Sequence, residues 1–180
     1  MYLDGITTKR LKIRKLELSD ITIWEKFFEN NNSLPYLGID LSKDNRTQSK
    51  EWIERQLWRY ENNKFGHQAL IERKTNNFVG QCGLLTQQID NKIETEIAYH
   101  IIPEYWGLGF ATEAAKEFCD YAFRNDLCNS LISVIDVRNL ASQKVAKKNG
   151  MKVSMQTKYN DLNVYVYRIN KDEWGKQTTT

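Results

Sequence analysis

Hydrophobic and polar residues alternate along several short stretches of the chain, and most clearly over residues 92–102. Side chains of a β-strand point alternately to its two faces. One face would carry Ile93, Thr95, Ile97, Tyr99 and Ile101, and the other Glu94, Glu96, Ala98, His100 and Ile102. The pattern therefore predicts a strand with one apolar face and one mostly polar face.

Strand-like and helical spacings divide the rest of the chain into further elements. Strands are predicted over residues 11–16, 68–73, 78–86, 131–137, 153–156 and 163–169, with a hairpin turn at 75–77 and a loop at 30–44. Helices are predicted after an N-cap at Ser19 and over 47–60, 111–125 and 139–149, the last ending at Gly150. The order β, αα, βββ, α, β, α, ββ predicts one mixed α/β domain over residues 1–180. Its core spans about 8–170, and 171–180 form a polar, fraying tail.

Composition narrows the possible partners. The chain has 26 Lys+Arg and 23 Asp+Glu, and this net charge of +3 is too small to indicate nucleic acid binding. No signal peptide and no membrane span are evident, so we expect a cytoplasmic protein without membrane association. Cys82, Cys119 and Cys128 are too widely spaced for a disulfide framework, and with two histidines no metal site is expected.

A glycine-containing turn joins the strand at 92–102 to the helix at 111–125. Pro103 stops the strand, and Gly107 and Gly109 lead into the helix. Free backbone N–H groups at such a helix start can bind a phosphate, although a tight turn can also need glycine for its conformation alone. Phe110-Ala111-Thr112 supplies no P-loop lysine, and a third glycine of a dinucleotide fingerprint is missing. If the turn binds a ligand, a diphosphate held by backbone amides fits best.

Several segments of the chain together resemble a known enzyme family. They are residues 96–114 (EIAYHIIPEYWGLGFATEA), 121–123 (YAF), 137–142 (VRNLAS) and 149–151 (NGM), preceded by 8–14 and 18–20 near the start. In this order and spacing they resemble the GNAT superfamily of N-acetyltransferases, and most closely its RimJ/RimL type, the ribosomal-protein-alanine N-acetyltransferases. The resemblance covers nearly the whole chain. It implies a mostly antiparallel, twisted sheet of about seven strands with splayed middle strands, flanked by about four helices.

The resemblance also implies acetyl-CoA as cosubstrate and no metal. The backbone amides of Trp106, Gly107, Leu108, Gly109, Phe110, Ala111 and Thr112 would hold its pyrophosphate. Trp106 stands where the superfamily usually has Gln or Arg, a departure common in the RimJ/RimL type. Tyr99, His100 and Ile101 would bind the pantetheine arm, and Asn139 and Ser142 would lie beside the thioester. Asn139 also suits a helix N-cap, and the two roles are compatible. The lysines at 144, 147, 148 and 152 are candidates for the 3′-phosphate or an ordinary solvated face.

Acetyl transfer to an amine needs a base, an oxyanion site and an acid for the leaving thiolate. Glu96 is the first candidate base, with Glu94 and His100 as alternatives on the same face. By resemblance Ser142 is the candidate acid, although an ordinary residue in the first helical turn is equally compatible. Backbone N–H groups of the strand at Tyr99 are the candidate oxyanion donors.

The function implied is transfer of an acetyl group to a primary amine by direct attack in a ternary complex. The first candidate acceptor is a protein N-terminal α-amine, ribosomal-protein-like. The alternatives are a small amine such as an aminoglycoside or polyamine, which a strongly acidic acceptor cleft would favour, and a non-catalytic acyl-CoA-binding module. Tyr36 and Trp58 are candidate walls of the acceptor pocket. The sequence leaves monomer and homodimer open.

Overall fold

The computed structural model describes residues 2–177, which form a seven-stranded sheet with five α-helices. The strands are β1 (Leu11–Arg14), β2 (His67–Glu72), β3 (Phe78–Ile89), β4 (Lys92–Ile101), β5 (Ser130–Asp136), β6 (Lys152–Tyr159) and β7 (Leu162–Asn170). The helices are α1 (Asp20–Trp24), α2 (Asn45–Glu61), α3 (Phe110–Arg124), α4 (Leu140–Lys148) and α5 (Lys171–Gln177). Short 3₁₀ turns cover Glu25–Phe27, Leu34–Tyr36 and Pro103–Tyr105.

The sheet has the strand order β1-β2-β3-β4-β5-β7-β6 and is antiparallel except between β4 and β5. Those two parallel strands pair at a single position, Glu96 opposite Ile132. In contrast, β3 and β4 pair along their whole length, from Gly80 opposite Ile101 to Ile89 opposite Lys92. Past Glu96 the middle strands therefore diverge and open a cleft in the sheet. The expected single-domain α/β fold with splayed middle strands is confirmed.

Two apolar clusters cover the two faces of the sheet. On one face α3 buries Ala114, Phe118 and Ala122, residues spaced four apart, against β3 and β4. On the other face the aromatic side chains of α1 and α2 form a cluster around Trp24, whose ring stacks on Phe27 with centroids 4.4 Å apart. Burial on both faces holds the edges of the cleft in place. No helix in the described part of the chain is both long enough and apolar enough to cross a membrane.

The structure corrects three local expectations. Ser19 stands at the N-cap position of the first helix as predicted, but its side chain makes no capping hydrogen bond, and the helix covers only five residues before it continues as a 3₁₀ turn. Residues 171–177 form α5 instead of a fraying tail, and residues 178–180 lie outside the described part of the chain. The physical reason is Trp174, which is buried in the core and donates its indole N–H to Asp120 at 2.8 Å. Ile93, expected on the apolar face of β4, is exposed because the apolar cluster on that face does not extend to the hairpin end of the strand.

Candidate active site

Two cavities meet in the cleft between β4 and β5. The larger, of about 500 Å³, runs along the glycine turn and the start of α4. The smaller, of about 300 Å³, lies between α2, β4, β5 and the β6–β7 turn. Both are lined by Tyr36, Leu37, Tyr99, His100, Asn139 and Ser142. Two molecules bound in the two cavities would therefore meet at these six residues.

The edge of β4 that faces β5 offers backbone groups to the larger cavity. Ile102 N–H donates to Val79 C=O on β3, and pairing alternates along an antiparallel ladder. The N–H and C=O of Tyr99 and Ile101 therefore point away from β3, toward the cleft. The Ile101 carbonyl accepts a hydrogen bond from the Trp106 indole at 2.7 Å. The backbone N–H and C=O of Tyr99 face the cleft, where they can form hydrogen bonds with an extended ligand.

The glycine turn adopts the conformation that its two glycines allow. Gly107 has φ of +78° and Gly109, the N-cap of α3, has φ of +84°, both in the left-handed region that favours glycine. The first amide N–H groups of a helix have no acceptor within the helix, and here they lie along the larger cavity. The residues of the turn that line it are Trp106, Gly107, Gly109, Phe110, Ala111 and Thr112. Leu108, also predicted to bind the coenzyme, is 54% exposed and does not line it.

An arginine from the start of the chain fixes this turn. The Arg10 guanidinium donates to the Leu108 carbonyl at 2.7 Å and to the Glu113 carboxylate in α3 at 2.6 Å. Thr8 Oγ1 also donates to Glu113, at 2.6 Å, and the Arg10 guanidinium lies 4.7 Å from the centroid of the Phe110 ring. The side chain of Arg10 therefore supports the turn from outside it. Local sequence patterns could not predict the contact between Arg10 and Glu113, because 103 residues separate them in the chain.

The start of α4 closes the junction of the two cavities. Asn139 caps the helix because its Oδ1 accepts the Ser142 N–H at 3.1 Å. The Tyr99 hydroxyl donates to the Ser142 carbonyl at 2.9 Å. These bonds hold α4 against β4, so the structure brings Tyr99, Asn139 and Ser142 together at the junction.

Glu96 lies where β4 and β5 separate and lines the smaller cavity. One carboxylate oxygen accepts the Val134 backbone N–H at 3.0 Å, and the other accepts the Gln87 side-chain N–H at 2.7 Å. The residue is only 6% exposed, and this burial raises the pKa of its carboxyl to about 7. At neutral pH it can therefore both accept and release a proton.

The two alternative bases are less suited to proton transfer. Glu94 forms a bidentate pair with Arg168 at 2.7 and 3.1 Å, and this hydrogen bonding lowers the pKa of its carboxyl. Glu94 also lines neither cavity. His100 lies among Phe27, Trp52 and His67, and burial lowers the pKa of its imidazole to about 4. His100 is therefore a neutral imidazole of low basicity at the junction.

The outer wall of the smaller cavity comes from α2 and from the loop over residues 30–44. Tyr36 lines it, and the Arg138 guanidinium lies 5.1 Å from the Tyr36 ring centroid. Trp58, expected on this wall, is 49% exposed and instead lies under the Lys64 ammonium. Sequence reasoning missed Arg55 and Arg59, which are one turn apart on α2 and both line the cavity. Their spacing of four residues was the available signal.

Other candidate groups lie outside the junction. Burial raises the pKa of all three cysteine thiols, and none of them lines either cavity. Lys144 and Lys148 line the larger cavity, whereas Lys152 lines neither cavity and pairs with Glu173 at 3.3 Å. In the described part of the chain no three His, Cys, Asp or Glu side chains are placed to hold a metal.

Comparison with known proteins gives one consistent family. The sequence profile described as "Acetyltransferase (GNAT) domain" matches residues 10–152. The uncharacterized protein YkkB of Bacillus subtilis is 34% identical over 167 residues, covering 90% of this chain and 93% of that protein.

Solved structures have the same fold. An acetyltransferase from Agrobacterium tumefaciens has a TM-score of 0.76 at 22% identity, covering 94% of this chain and 96% of that one. A RimL ribosomal-protein α-N-acetyltransferase, solved in complex with coenzyme A, also has a TM-score of 0.76, at 14% identity and covering 94% and 98%. At these identities the likeness shows the fold alone.

Proposed function

The chain belongs to the GNAT acetyltransferase family and is an acyltransferase, and from that premise we propose that it acetylates a protein N-terminal α-amine with acetyl-CoA. We also propose that it is of the RimJ/RimL type. The observation that carries the proposal is the meeting of two cavities at Tyr99, His100, Asn139 and Ser142. One cavity suits the coenzyme, and the other contains the candidate base.

The larger cavity fits coenzyme A. The amides from Trp106 to Thr112 suit its pyrophosphate, because free N–H groups at a helix start bind phosphate oxygens. A Cβ at Gly109 would lie 3.3 Å from a nitrogen of the Arg10 guanidinium, so a side chain there would press against the arginine that holds the turn. Tyr99 and Ile101 offer a strand edge to the pantetheine arm, and Lys144 and Lys148 suit the 3′-phosphate. When bound, the coenzyme supplies an acetyl thioester at the junction.

The residues around the junction divide the proton transfers between them. Glu96 takes a proton from the acceptor amine, directly or through water, because its pKa near 7 matches that task. The Tyr99 backbone N–H points into the cleft and is the candidate donor to the developing oxyanion. Ser142, which lines both cavities, is the candidate proton donor to the leaving sulfur. The raised pKa of all three cysteine thiols, and their position outside both cavities, support direct attack over a covalent acyl-cysteine.

The charge of the smaller cavity favours a peptide amine over a small polycation. Its acidic lining residues are Glu96, whose pKa is raised, and Asp136, which Arg138 neutralises at 2.7 Å. Arg55 and Arg59 line the same cavity. A polyamine or aminoglycoside carries several positive charges, and two guanidinium groups would repel it. The RimL structure with the same fold is of an enzyme that acts on a protein α-amine.

Acetyl-CoA mixed with a panel of amines tests the proposal. The panel contains four amines. The first is a peptide with a free N-terminus and an internal lysine, and the second is the same peptide with its N-terminus blocked. The others are spermidine and an aminoglycoside. We expect thiol release, and the mass gain of one acetyl group, with the free peptide only. Acetylation of spermidine or the aminoglycoside alone would replace the peptide with a small-amine acceptor. Saturable coenzyme binding without thiol release for any amine would instead indicate a non-catalytic module.

A further inference from the structure

We propose that Arg55 and Arg59 in the smaller cavity bind a carboxylate of the acceptor. This carboxylate belongs to the side chain of an acidic residue at the second position of the acceptor peptide. This inference rests on the proposed function, since it assigns the acceptor to that cavity. Both arginines lie on α2 and line the cavity. Residues four apart on a helix share one face, so the two guanidinium groups act from the same side.

Arg55 and Arg59 differ from most other arginines of the chain in forming no salt bridge within residues 2–177, and Glu96 in the same cavity acts on Arg59 only through a longer-range charge interaction. Six of the nine arginines pair with a carboxylate: Arg10, Arg14, Arg46, Arg124, Arg138 and Arg168. Within residues 2–177, no carboxylate lies within salt-bridge distance of Arg55 or Arg59. Like charges four residues apart destabilise a helix. An anionic ligand between them would remove this repulsion.

The Arg59 side chain is held in position before any ligand arrives. Its Nη1 donates to the Gln56 Oε1 at 3.1 Å, and the same oxygen accepts the His67 backbone N–H at 3.0 Å. The backbone of Gly66 lies against the same side chains, since a Cβ there would be 3.2 Å from the Gln56 Oε1 and in van der Waals contact with Arg59. Burial lowers the pKa of the Arg59 guanidinium, and the neighbouring Arg55 lowers it further. A fixed, partly desolvated cation of this kind binds a carboxylate more strongly than a solvated one.

His67 gives a second, independent sign of a polar ligand. It is 3% exposed and lines the same cavity, and neither ring nitrogen has a hydrogen-bond partner within the described chain. Burial holds the pKa of its imidazole well below the ordinary value, so the ring is neutral with one donor and one acceptor nitrogen. Buried polar atoms in native proteins are nearly always paired. A polar group of a substrate bound in the cavity would provide the hydrogen bond that the His67 ring lacks.

A matched pair of peptides tests the inference. The peptides share an N-terminal residue and differ only in Glu or Gln at the second position, and a third carries Lys there. A free amino acid and its amide form a separate arm, which distinguishes a side-chain carboxylate from an α-carboxylate. For the wild-type enzyme we expect KM to be about tenfold lower for the Glu peptide than for the Gln peptide, with similar kcat, since a charged hydrogen bond is lost.

Three arginine variants locate the effect. Arg59→Gln and Arg55→Gln should each reduce the preference for Glu over Gln, mainly through KM. Arg124→Gln, which removes one charge from an exposed position on α3, should retain it. Arg55 is exposed, so its variant keeps the test valid even if Arg59→Gln folds poorly.

The outcomes separate this inference from the proposed function. Acetylation of both peptides with equal KM would overturn only the carboxylate recognition. A preference for the free amino acid over its amide, without a peptide effect, would overturn the assignment to a side-chain carboxylate. If no amine is acetylated, the proposed function fails, and calorimetric binding of the Glu and Gln peptides still tests the charge recognition. Equal affinities there would overturn it as well.

Discussion

Glu96→Gln removes the candidate base while changing the volume of the side chain very little. The carboxyl lies in the smaller cavity, where it accepts hydrogen bonds from Val134 and Gln87. General base catalysis contributes about a hundredfold to ten-thousandfold in rate. We therefore expect kcat to fall at least about a hundredfold, while coenzyme binding is retained because Glu96 does not line the larger cavity.

The size of the pH effect follows from the burial of Glu96. Burial raises the pKa of its carboxyl from 4.5 to about 7, and each tenfold change in ionisation constant corresponds to about 1.4 kcal/mol, so ionising the buried group costs about 3 kcal/mol. Below pH 4.5 the carboxyl is protonated in both folded and unfolded chains. Between pH 4.5 and 7 the carboxyl keeps its proton in the folded chain but loses it in the unfolded chain. The free energy of unfolding therefore falls as the pH rises through this range, by up to about 3 kcal/mol.

Two measurements report on the ionisation of the Glu96 carboxyl. In the wild type, kcat should fall about tenfold per pH unit below pH 7, and this acid limb should not move when the acceptor amine is changed. In denaturant titrations, Glu96→Gln should gain stability relative to the wild type between pH 5 and 8, by up to about 3 kcal/mol. Glu94→Gln is the matched control, since that carboxylate lines neither cavity, and it should keep the acid limb.

Either of two results would refute the reasoning. The first is a Glu96→Gln enzyme with near wild-type kcat and the same acid limb, because another group would then titrate. The second is a stability difference between variant and wild type that stays constant from pH 5 to 8. In that case the carboxyl would be solvated in the folded protein, and burial would not tune its pKa.

Two further changes test the coenzyme turn. Gly109→Ala places a Cβ in a left-handed conformation and 3.3 Å from Arg10, so we expect about tenfold weaker coenzyme binding by calorimetry; Gly175→Ala, which has open space around its Cβ, should bind normally. Arg10→Gln removes the ion pair that holds the turn and should also weaken coenzyme binding, whereas Lys12→Gln, at an exposed position, should not. Unchanged affinity in the Arg10 variant would mean that the turn keeps its shape without that contact.

Local patterns determine much of what the sequence predicts correctly. The alternation of apolar and polar residues predicts β4, and the two glycines before a helical pattern predict the turn and α3. Both signals depend on neighbours within a few residues. Asn139 is predicted as a cap for the same reason, and the cap is confirmed by its bond to Ser142. These elements gave the α/β class, whereas the acyltransferase activity came from the resemblance of several motifs to the GNAT superfamily.

Contacts between distant segments decided the rest. Arg10 contacts Leu108 in the glycine turn across 98 residues, and Trp174 converts an apparently polar tail into a packed helix. The polar face of β4 was predicted, but whether Glu96 would be solvated or buried was not, since that depends on where β5 leaves the ladder. A pKa is set by burial and by the partners that surround the group in three dimensions. The sequence by itself therefore determined which residues could act, and the tertiary structure determined their burial, their charge and the cavity that each one faces.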